Sequence, residues 1–273
     1  MSNTNNTQLA VEENPRVKEF KDVLNSYDIK AKLKNSLKNN WSQFSTSMLD
    51  LYSGDSYLQK CDPYAVAVEC VKAATLNLPI SKSLGFAYVV PYKNVPTFTI
   101  GYKGLIQLAQ RTGQYKTINA DVVYEGELKG YDKLSGMIDV SGERTSDEVI
   151  GYFAYFQLVN GFEKILYMTK AEVEKWRDDY SPSAKSGYSP WVKEFDKMAL
   201  KTCLRRLIST YGIMTTEMTT ALESDNSGTT PQQRAEEKVQ SNANSTFVDI
   251  DQNTGEVQEL KTTEQTVQSS PEF

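Results

Sequence analysis

Residues 16–76 repeat apolar and polar positions at the spacing of helices. An apolar residue returns every three or four positions, so that each helix would bury one side. The repeat includes Leu37, Trp41, Phe44, Met48, Leu49 and Leu51. Asp62 and Pro63 predict the start of a further helix, because Asp caps the first amides and Pro suits the first turn. That helix should end before Pro79.

The period shortens to two in residues 85–102, which predict a hairpin of two strands. A tight turn at Lys93 and Asn94 should join these strands. The following stretch returns to helical spacing and should end at Gly113, because glycine suits the position just past a helix. Another strand is predicted over residues 115–125.

Residues 148–169 carry the clearest hairpin pattern of the chain. Two runs of aromatic and β-branched residues flank Asn160 and Gly161, a pair that favours a type I′ turn. Thr169 and Glu172 then match a capping box, which predicts that a helix begins directly after the hairpin.

These elements predict an α+β fold in which a small antiparallel sheet packs with helices. A long helix over residues 191–211 completes the folded part. The predicted sheet contains the hairpins 85–102 and 148–169 and the strand 115–125. The predicted divisions of the chain are a disordered arm (1–15), a folded core (16–222) and an acidic disordered tail (223–273).

The tail is set apart by its charge as well as by its composition. The chain has a formal net charge of −5, but residues 221–273 carry 3 bases and 10 acids, which leaves 27 bases and 25 acids elsewhere. Few apolar residues follow Glu223, so burial could not offset the entropy cost of ordering this segment. Such acidic segments are often solvated and interact with partners.

The composition excludes several kinds of chemistry. The chain has no histidine, which excludes Ser-His and Cys-His catalytic pairs and imidazole zinc sites. It also lacks the glycine-rich motifs that bind ATP or dinucleotides. The function must therefore be carboxylate chemistry or binding without chemistry. The second, which we favour, needs no cofactor, no metal and no catalytic residue. The absence of a signal-peptide pattern and the three separated cysteines (Cys61, Cys70 and Cys203) favour reduced thiols in a cytosol.

The helix predicted near residues 102–112 has two unlike sides. The side that should be buried carries Leu105, Leu108, Ala109 and Thr112. The opposite side carries Lys103, Gln107, Gln110 and Arg111. Basic and amide groups contact phosphates and sugars, and an aromatic ring such as Tyr102 can stack on a base. This side is therefore a candidate nucleic-acid surface.

A second basic stripe runs along residues 191–212. Bases recur at every fourth position, with one more beside the last, at Lys193, Lys197, Lys201, Arg205 and Arg206. Apolar residues fill two other sides, so the stripe could form one wall of a groove. The simpler interpretation of either stripe is a solvated helix face, and Glu194 could pair with Lys197.

Carboxylate chemistry is a further alternative. Asp121 with Glu127 and Lys129 imitates the arrangement in which nucleases hold Mg²⁺ on carboxylates beside a lysine. The tripeptide of an acid, any residue and lysine occurs five times in the chain, so the pattern selects no site.

Four stretches of the sequence together match one protein family. They are DPYAVAVECVKAATLNLPISKSLGFAYVVPYK (62–93), FTIGYKGLIQLAQRTGQYK (98–116), GYFAYFQLVNGFEKILYMTKAEVEKW (151–176) and WVKEFDKMALKTCLRRLISTYG (191–212). In this order they resemble the RecT family of phage and prophage single-strand annealing proteins. The resemblance covers roughly residues 30–215.

The resemblance implies an ATP-independent recombinase of the bacterial host cytosol. Such a protein binds single-stranded DNA and the annealed duplex as a homo-oligomeric ring or helical filament, often beside a partner exonuclease. We expect residues 16–60 to make subunit contacts. The tail is a candidate site for recruiting the exonuclease or the host single-stranded-DNA-binding protein. A Mg²⁺-dependent nuclease and a non-catalytic structural phage protein remain the alternatives.

Annealing brings two phosphate backbones together, and a basic groove would screen their repulsion without reading sequence. We predict that the two basic helices form the walls of this groove. The predicted DNA-binding residues of the first wall are Lys93, Tyr102, Lys103, Gln107, Arg111 and Lys116. Those of the second wall are Lys197, Lys201, Arg205 and Arg206.

Overall fold

The computed structural model describes residues 14–92, 94–181, 184, 187 and 189–225. Four helices form the N-terminal part, as the helical spacing predicts. They are α1 (Pro15–Asn25), α2 (Tyr27–Leu37), α3 (Trp41–Ser53) and α4 (Pro63–Thr75), with short 3-10 helices at Lys38–Asn40 and Leu58–Lys60. The Asp62 carboxylate accepts a hydrogen bond of 2.7 Å from the Ala65 amide, which confirms the predicted N-cap of α4.

The N-terminal helices pack around α4, which contacts α1, α2 and α3. The rings of Phe20 and Tyr52 stack at 4.2 Å between their centroids and fix α1 against α3. Trp41 and Phe44, both partly buried, pack against this core. Both side chains therefore take part in core packing.

The predicted hairpin in residues 85–102 is confirmed. Strands β1 (Ala87–Tyr92) and β2 (Val95–Ile100) pair antiparallel, with Ala87 opposite Ile100. Helix α5 (Tyr102–Arg111) begins one residue after β2. Gly113 has φ of 67°, a left-handed conformation that suits the residue after a helix, as predicted.

A second, larger sheet has three strands in the order β3-β6-β7, all antiparallel. Its strands are β3 (Tyr115–Tyr124), β6 (Val149–Leu158) and β7 (Glu163–Thr169). Two short strands, β4 (Gly130–Tyr131) and β5 (Ile138–Asp139), pair with each other in the β3–β6 connection. The α+β class and the antiparallel pairing are confirmed, but β1 and β2 form a sheet of their own. This hairpin packs against α4, and no other described strand pairs with it.

The turn between β6 and β7 differs from the type I′ prediction. A type I′ turn needs positive φ at both central residues. Gly161 has φ of 89°, but the described non-glycine residues with positive φ are Lys38, Asn77 and Asn94. Asn160 instead accepts a hydrogen bond of 2.9 Å from the Phe162 amide through its side chain. This local contact gives a longer turn with a single left-handed residue.

Within the described ranges, four helices follow the larger sheet. They are α6 (Lys170–Tyr180), α7 (Pro190–Lys193), α8 (Phe195–Tyr211) and α9 (Thr216–Ser224). The capping box of Thr169 and Glu172 at the start of α6 is present as predicted. The predicted helix over 191–211 is interrupted at Glu194, whose φ of −143° and ψ of 51° are not helical.

Helix α8 is the central helix of the C-terminal half. It contacts all three strands of the larger sheet as well as α5. Three cysteines lie in the core with free thiols, at Cys61, Cys70 and Cys203, in agreement with the expectation of reduced thiols. Among the described residues, no helix is both long and apolar enough to cross a membrane.

Candidate nucleic-acid interface

The first turn of α5 lies directly on the backbone that precedes β1. The Gly101 amide donates a hydrogen bond of 2.9 Å to the Phe86 carbonyl. A Cβ atom on Gly101 would overlap the Gly85 carbonyl oxygen, and one on Gly104 would overlap the Phe86 carbonyl oxygen. Only glycine allows this close approach, which fixes where the side chains of the first turn emerge.

The two sides of α5 agree with the helical wheel. Leu105, Leu108 and Ala109 are buried in the core, while Lys103 and Gln110 are exposed. Gln107 is intermediate, and its buried side-chain oxygen has no hydrogen-bond partner within the described part of the chain. Thus the polar side of α5 faces outward at its start and is partly covered farther along.

The side chains of Lys103 and Tyr88 both lie close to Gly85. A Cβ atom placed on Gly85 would stand 3.2 Å from the Tyr88 hydroxyl and 3.5 Å from Lys103 Cδ. The stem of Lys103 therefore crosses this glycine on its way to solvent. In the portion of the chain that the structure describes, the Lys103 ammonium makes no ion pair, so its charge is available to a ligand.

Lys197, at the start of α8, belongs to the same surface. Burial raises the pKa of the Tyr88 hydroxyl, and the nearby Lys197 charge opposes that rise. Lys197 also interacts electrostatically with Tyr102, while its hydrogen bond to Glu194 raises the pKa of its ammonium. The Lys197–Glu194 pair measures 2.8 Å between charged atoms and is exposed. We call Tyr88, Tyr102, Lys103 and Lys197 the open cluster.

In the next turns of α8, the basic side chains form ion pairs with an acid of the same chain. Lys201 is only 5% exposed, and its ammonium lies 3.0 and 2.9 Å from the two oxygens of Asp225. Arg205 donates to the same carboxylate at 2.9 Å. Burial lowers the pKa of the Lys201 ammonium, and the Asp225 charge opposes that effect. We call Lys201, Arg205 and Asp225 the closed cluster.

Arg206 lies on another side of α8. Its guanidinium stacks over the Trp176 ring of α6, 4.5 Å from the centroid, and donates to the Met168 sulfur of β7 at 3.2 Å. These partners belong to the larger sheet and its helix rather than to α5. The structure therefore does not bring Arg206 to the surface that Lys197 and Lys103 share.

Arg111 also has an internal partner. Its guanidinium donates to the carbonyls of Leu76 at 2.6 Å and Asn77 at 2.7 Å, just past the end of α4. A cation suits this position because helix carbonyls lack partners there. Of the remaining predicted residues, Lys116 is exposed at the start of β3, and Lys93 lies outside the described residues.

The carboxylates of the nuclease alternative do not form a metal site. The Glu127 side chain accepts a hydrogen bond of 2.8 Å from the Tyr124 amide, and Asp121 accepts one of 2.8 Å from the Val122 amide. Across the described ranges, no group of three or more acidic, cysteine or histidine side chains could hold a metal ion. These bonds make Glu127 and Asp121 local structural groups.

Sequence reasoning did not single out Tyr88 or Asp225. Tyr88 lies in a strand whose aromatic residues are typical of sheet packing, so its position beside α5 follows only from the fold. Asp225 falls inside the segment predicted to be a disordered tail. A signal was present, because Thr215 is an N-cap residue and the buried Met218, Ala221 and Leu222 that follow have helical spacing.

The sequence also matches a known protein family along most of its length. The model of the RecT family matches residues 39–241. The chain belongs to the RecT family. Membership of the RecT family supports a role in DNA recombination as a single-strand annealing protein.

Two relatives illustrate the spread of the RecT family. The chain is 46% identical to the uncharacterized protein YqaK of Bacillus subtilis strain 168 over 204 residues, which are 74% of this chain and 70% of the relative. It is 32% identical to the protein RecT of Escherichia coli strain K12 over 161 residues, which are 55% of this chain and 58% of that relative. The RecT family match includes every residue of the open and closed clusters.

Proposed function

We propose that this chain is an ATP-independent annealing protein that binds single-stranded DNA and the annealed duplex along the surface between α5 and α8. Membership of the RecT family is the observation that carries the proposal. The open cluster supports it, because exposed lysines beside tyrosine rings suit contacts with backbone phosphates and stacking on bases. Such contacts carry no sequence information, as annealing of arbitrary strands requires.

The proposed chemistry is electrostatic rather than covalent. Two strands repel each other through their phosphates, and lysines that replace bound counterions lower that repulsion. Lys103 and Lys197 come from different helices that are in contact, so one backbone could lie across both. Base edges would then stay free to pair with a second strand. No cofactor, metal or catalytic residue takes part in this mechanism.

We further propose that the protein acts as a homo-oligomeric ring or helical filament in the bacterial cytosol, with residues 16–60 in subunit contacts. Tyr27 and Tyr57, which are 90% and 48% exposed on this region, are better candidates for such contacts than the partly buried Trp41. Replacing Tyr27 with Ser should lower the oligomer mass in light scattering. An unchanged mass would remove Tyr27 from the interface.

The acidic tail is proposed to recruit an exonuclease or a host single-stranded-DNA-binding protein. Its charge supports this role, since residues 226–273 carry 8 acids and 3 bases. The deletion that tests it should start at residue 226, because Asp225 is buried in the folded part. Loss of both partners in a pull-down is expected, whereas unchanged capture would contradict the recruiting role.

An annealing assay tests the main proposal. Two complementary oligonucleotides are mixed with the protein in sequence, without ATP, and duplex formation is followed over time. We expect faster formation with intact strands. Shortened strands in the presence of Mg²⁺ would instead support the nuclease. No change in the rate of duplex formation or in strand length would favour a structural phage protein.

A charge-reversal variant tests whether the surface between α5 and α8 is the one that binds DNA in this assay. Lys103→Glu should weaken strand binding and slow annealing while leaving the fold intact, because Lys103 is exposed. Lys133→Glu is the matched control, since Lys133 is an exposed lysine in the β4–β5 connection. Equal effects of the two variants would mean that only net charge matters and that α5 is not part of the binding surface.

A further inference from the structure

The closed cluster joins two helices through a buried ion pair. The Lys201 and Asp225 side chains are 6% and 0% exposed, and they lie 24 positions apart in the chain. Charged groups at such burial are rare and costly unless they are paired. Asp225 directly follows α9, so the pair attaches the end of this helix to α8.

The geometry of the closed cluster is that of an anion site. Lys201 contacts both carboxylate oxygens of Asp225, and Arg205 contacts one of them. A carboxylate and a phosphodiester are both singly charged groups with paired oxygens. Arginine and lysine bind either of them with similar charge-assisted hydrogen bonds. Thus Asp225 holds the position that a backbone phosphate would take.

The site continues the open cluster along the same helix. Lys201 is one turn beyond Lys197, a rise of about 6 Å along α8. Tyr92 of β1 lies near the cluster, because the Asp225 charge adds to the effect of burial in raising the pKa of its hydroxyl. A DNA backbone that follows α8 from Lys197 therefore meets Lys201 and Asp225 next.

Helix α9 is a short element that could leave this position. It has nine residues and contacts α5 and β2, and its buried apolar residues are Met218, Ala221 and Leu222. Helices of this length are marginal without tertiary support. Arg205 adds two long hydrogen bonds of 3.3 Å to the carbonyls of Leu222 and Asp225. The closed cluster thus adds polar contacts to the apolar contacts that hold α9 in place.

We propose that the closed cluster is a second phosphate-binding site, which Asp225 occupies in the DNA-free protein and leaves when a DNA backbone enters. The proposal rests on the proposed function, since it assumes that DNA follows α8. Release of Asp225 undocks α9 and moves the attachment point of the acidic tail away from the DNA path. The carboxylate thereby keeps two cations from binding anions other than a properly placed strand.

Hydrogen exchange gives the direct test with the full-length protein. Addition of an unstructured single-stranded oligonucleotide should speed the exchange of amides in residues 216–225 while it protects α5. Unchanged or slower exchange in residues 216–225, together with protection of α5, would overturn the proposal and leave the proposed function standing. No protection anywhere and no binding would instead contradict the proposed function itself.

A charge variant gives an independent measurement. In Asp225→Asn, a DNA backbone no longer has to displace a carboxylate from Lys201 and Arg205. Single strands should therefore bind more tightly than they bind the natural chain, while the slope of log affinity against log salt stays the same because the number of phosphate contacts is unchanged. Glu223→Gln is the matched control, because it removes one negative charge from an exposed position on α9. A gain in affinity no larger than that of Glu223→Gln would overturn the proposal.

Leu222→Ala tests the same proposal if the Asp225→Asn protein does not fold. This change leaves every charge in place and weakens the docking of α9, because Leu222 is 8% exposed. The variant should bind single strands more tightly than the natural chain. Weaker or equal binding by a folded Leu222→Ala protein would mean that α9 is a fixed structural element.

Discussion

The open and closed clusters have the same sequence pattern, but their basic side chains differ in how exposed they are. Both contain bases that recur on helices, and Lys197 and Lys201 are on the same helix one turn apart. Lys197 remains exposed, whereas Lys201 is buried against Asp225. The difference comes from a segment that is distant in sequence and folds back over one turn of α8. A basic stripe therefore identifies a possible surface, and tertiary contacts decide which of its charges a ligand can reach.

The largest expected effect is on the free energy of unfolding, to which the closed cluster should contribute much more than exposed charges do. Asp225→Ala should lower the free energy of unfolding by about 3–5 kcal/mol, because it leaves buried cations without their shared carboxylate. Urea denaturation measures the change. Glu223→Ala on the same helix should stay within about 0.5 kcal/mol, as exposed substitutions usually do. Similar losses for the two variants would show that burial of the Asp225 pair contributes nothing special.

A second effect concerns Arg111, which belongs to neither cluster. Arg111→Ala should lower the free energy of unfolding by about 2 kcal/mol, because a hydrogen bond from a charged group contributes roughly 1.5–3 kcal/mol and one of the two bonds is exposed to solvent. The physical cause is the loss of the contacts with the Leu76 and Asn77 carbonyls. Gln110→Ala, at the exposed neighbouring position, is the control for the same denaturation experiment. A stable Arg111→Ala protein with impaired DNA binding would return Arg111 to the binding surface.

A third effect tests the open cluster by binding alone. Lys103→Gln should reduce the slope of log affinity against log salt by about 0.7, the value for one phosphate contact on a single strand. Its free energy of unfolding should change by no more than about 0.5 kcal/mol. Fluorescence anisotropy with a labelled oligonucleotide at several salt concentrations gives the slope. An unchanged slope would exclude a phosphate contact at Lys103.

The smallest effect concerns the exposed pair at the start of α8. Glu194→Gln replaces the carboxylate with a neutral amide and so weakens the interaction that raises the pKa of Lys197, and that pKa should fall toward its ordinary value. The ammonium stays charged at neutral pH and becomes free for phosphate, so DNA affinity should rise slightly. Exposed ion pairs contribute little to stability, and the denaturation midpoint should not move. A marked loss of affinity would show that Glu194 positions Lys197 for binding.

Local patterns in the sequence predicted most of the elements. The caps of α4 and α6, the end of α5 at Gly113 and both long hairpins depend on interactions within a few residues, which a sequence displays directly. The break at Glu194 and the separate sheet of β1 and β2 were not predicted. Both depend on how elements meet in space, because α5 follows β2 immediately and α8 must fit against three strands.

The candidate site was harder to predict than the fold. The wheel of α5 correctly separated Lys103 from the buried Leu105 and Leu108. It could not show that Arg111 reaches the end of α4, since the carbonyls it binds are 34 and 35 residues away. The composition argument for the tail also missed Asp225, because an average over a long, mostly polar segment hides one acid that folds back into the core.

The burial of all three native thiols makes this protein well suited to spectroscopic labelling. Cys61, Cys70 and Cys203 lie in the core, where burial raises the pKa of each thiol, to about 12 for Cys203. The thiolate is the form that attacks a maleimide, and buried thiols such as these rarely form it at neutral pH. A cysteine introduced at an exposed position of α9 should therefore react alone, and a dye there could follow the movement of this helix in real time.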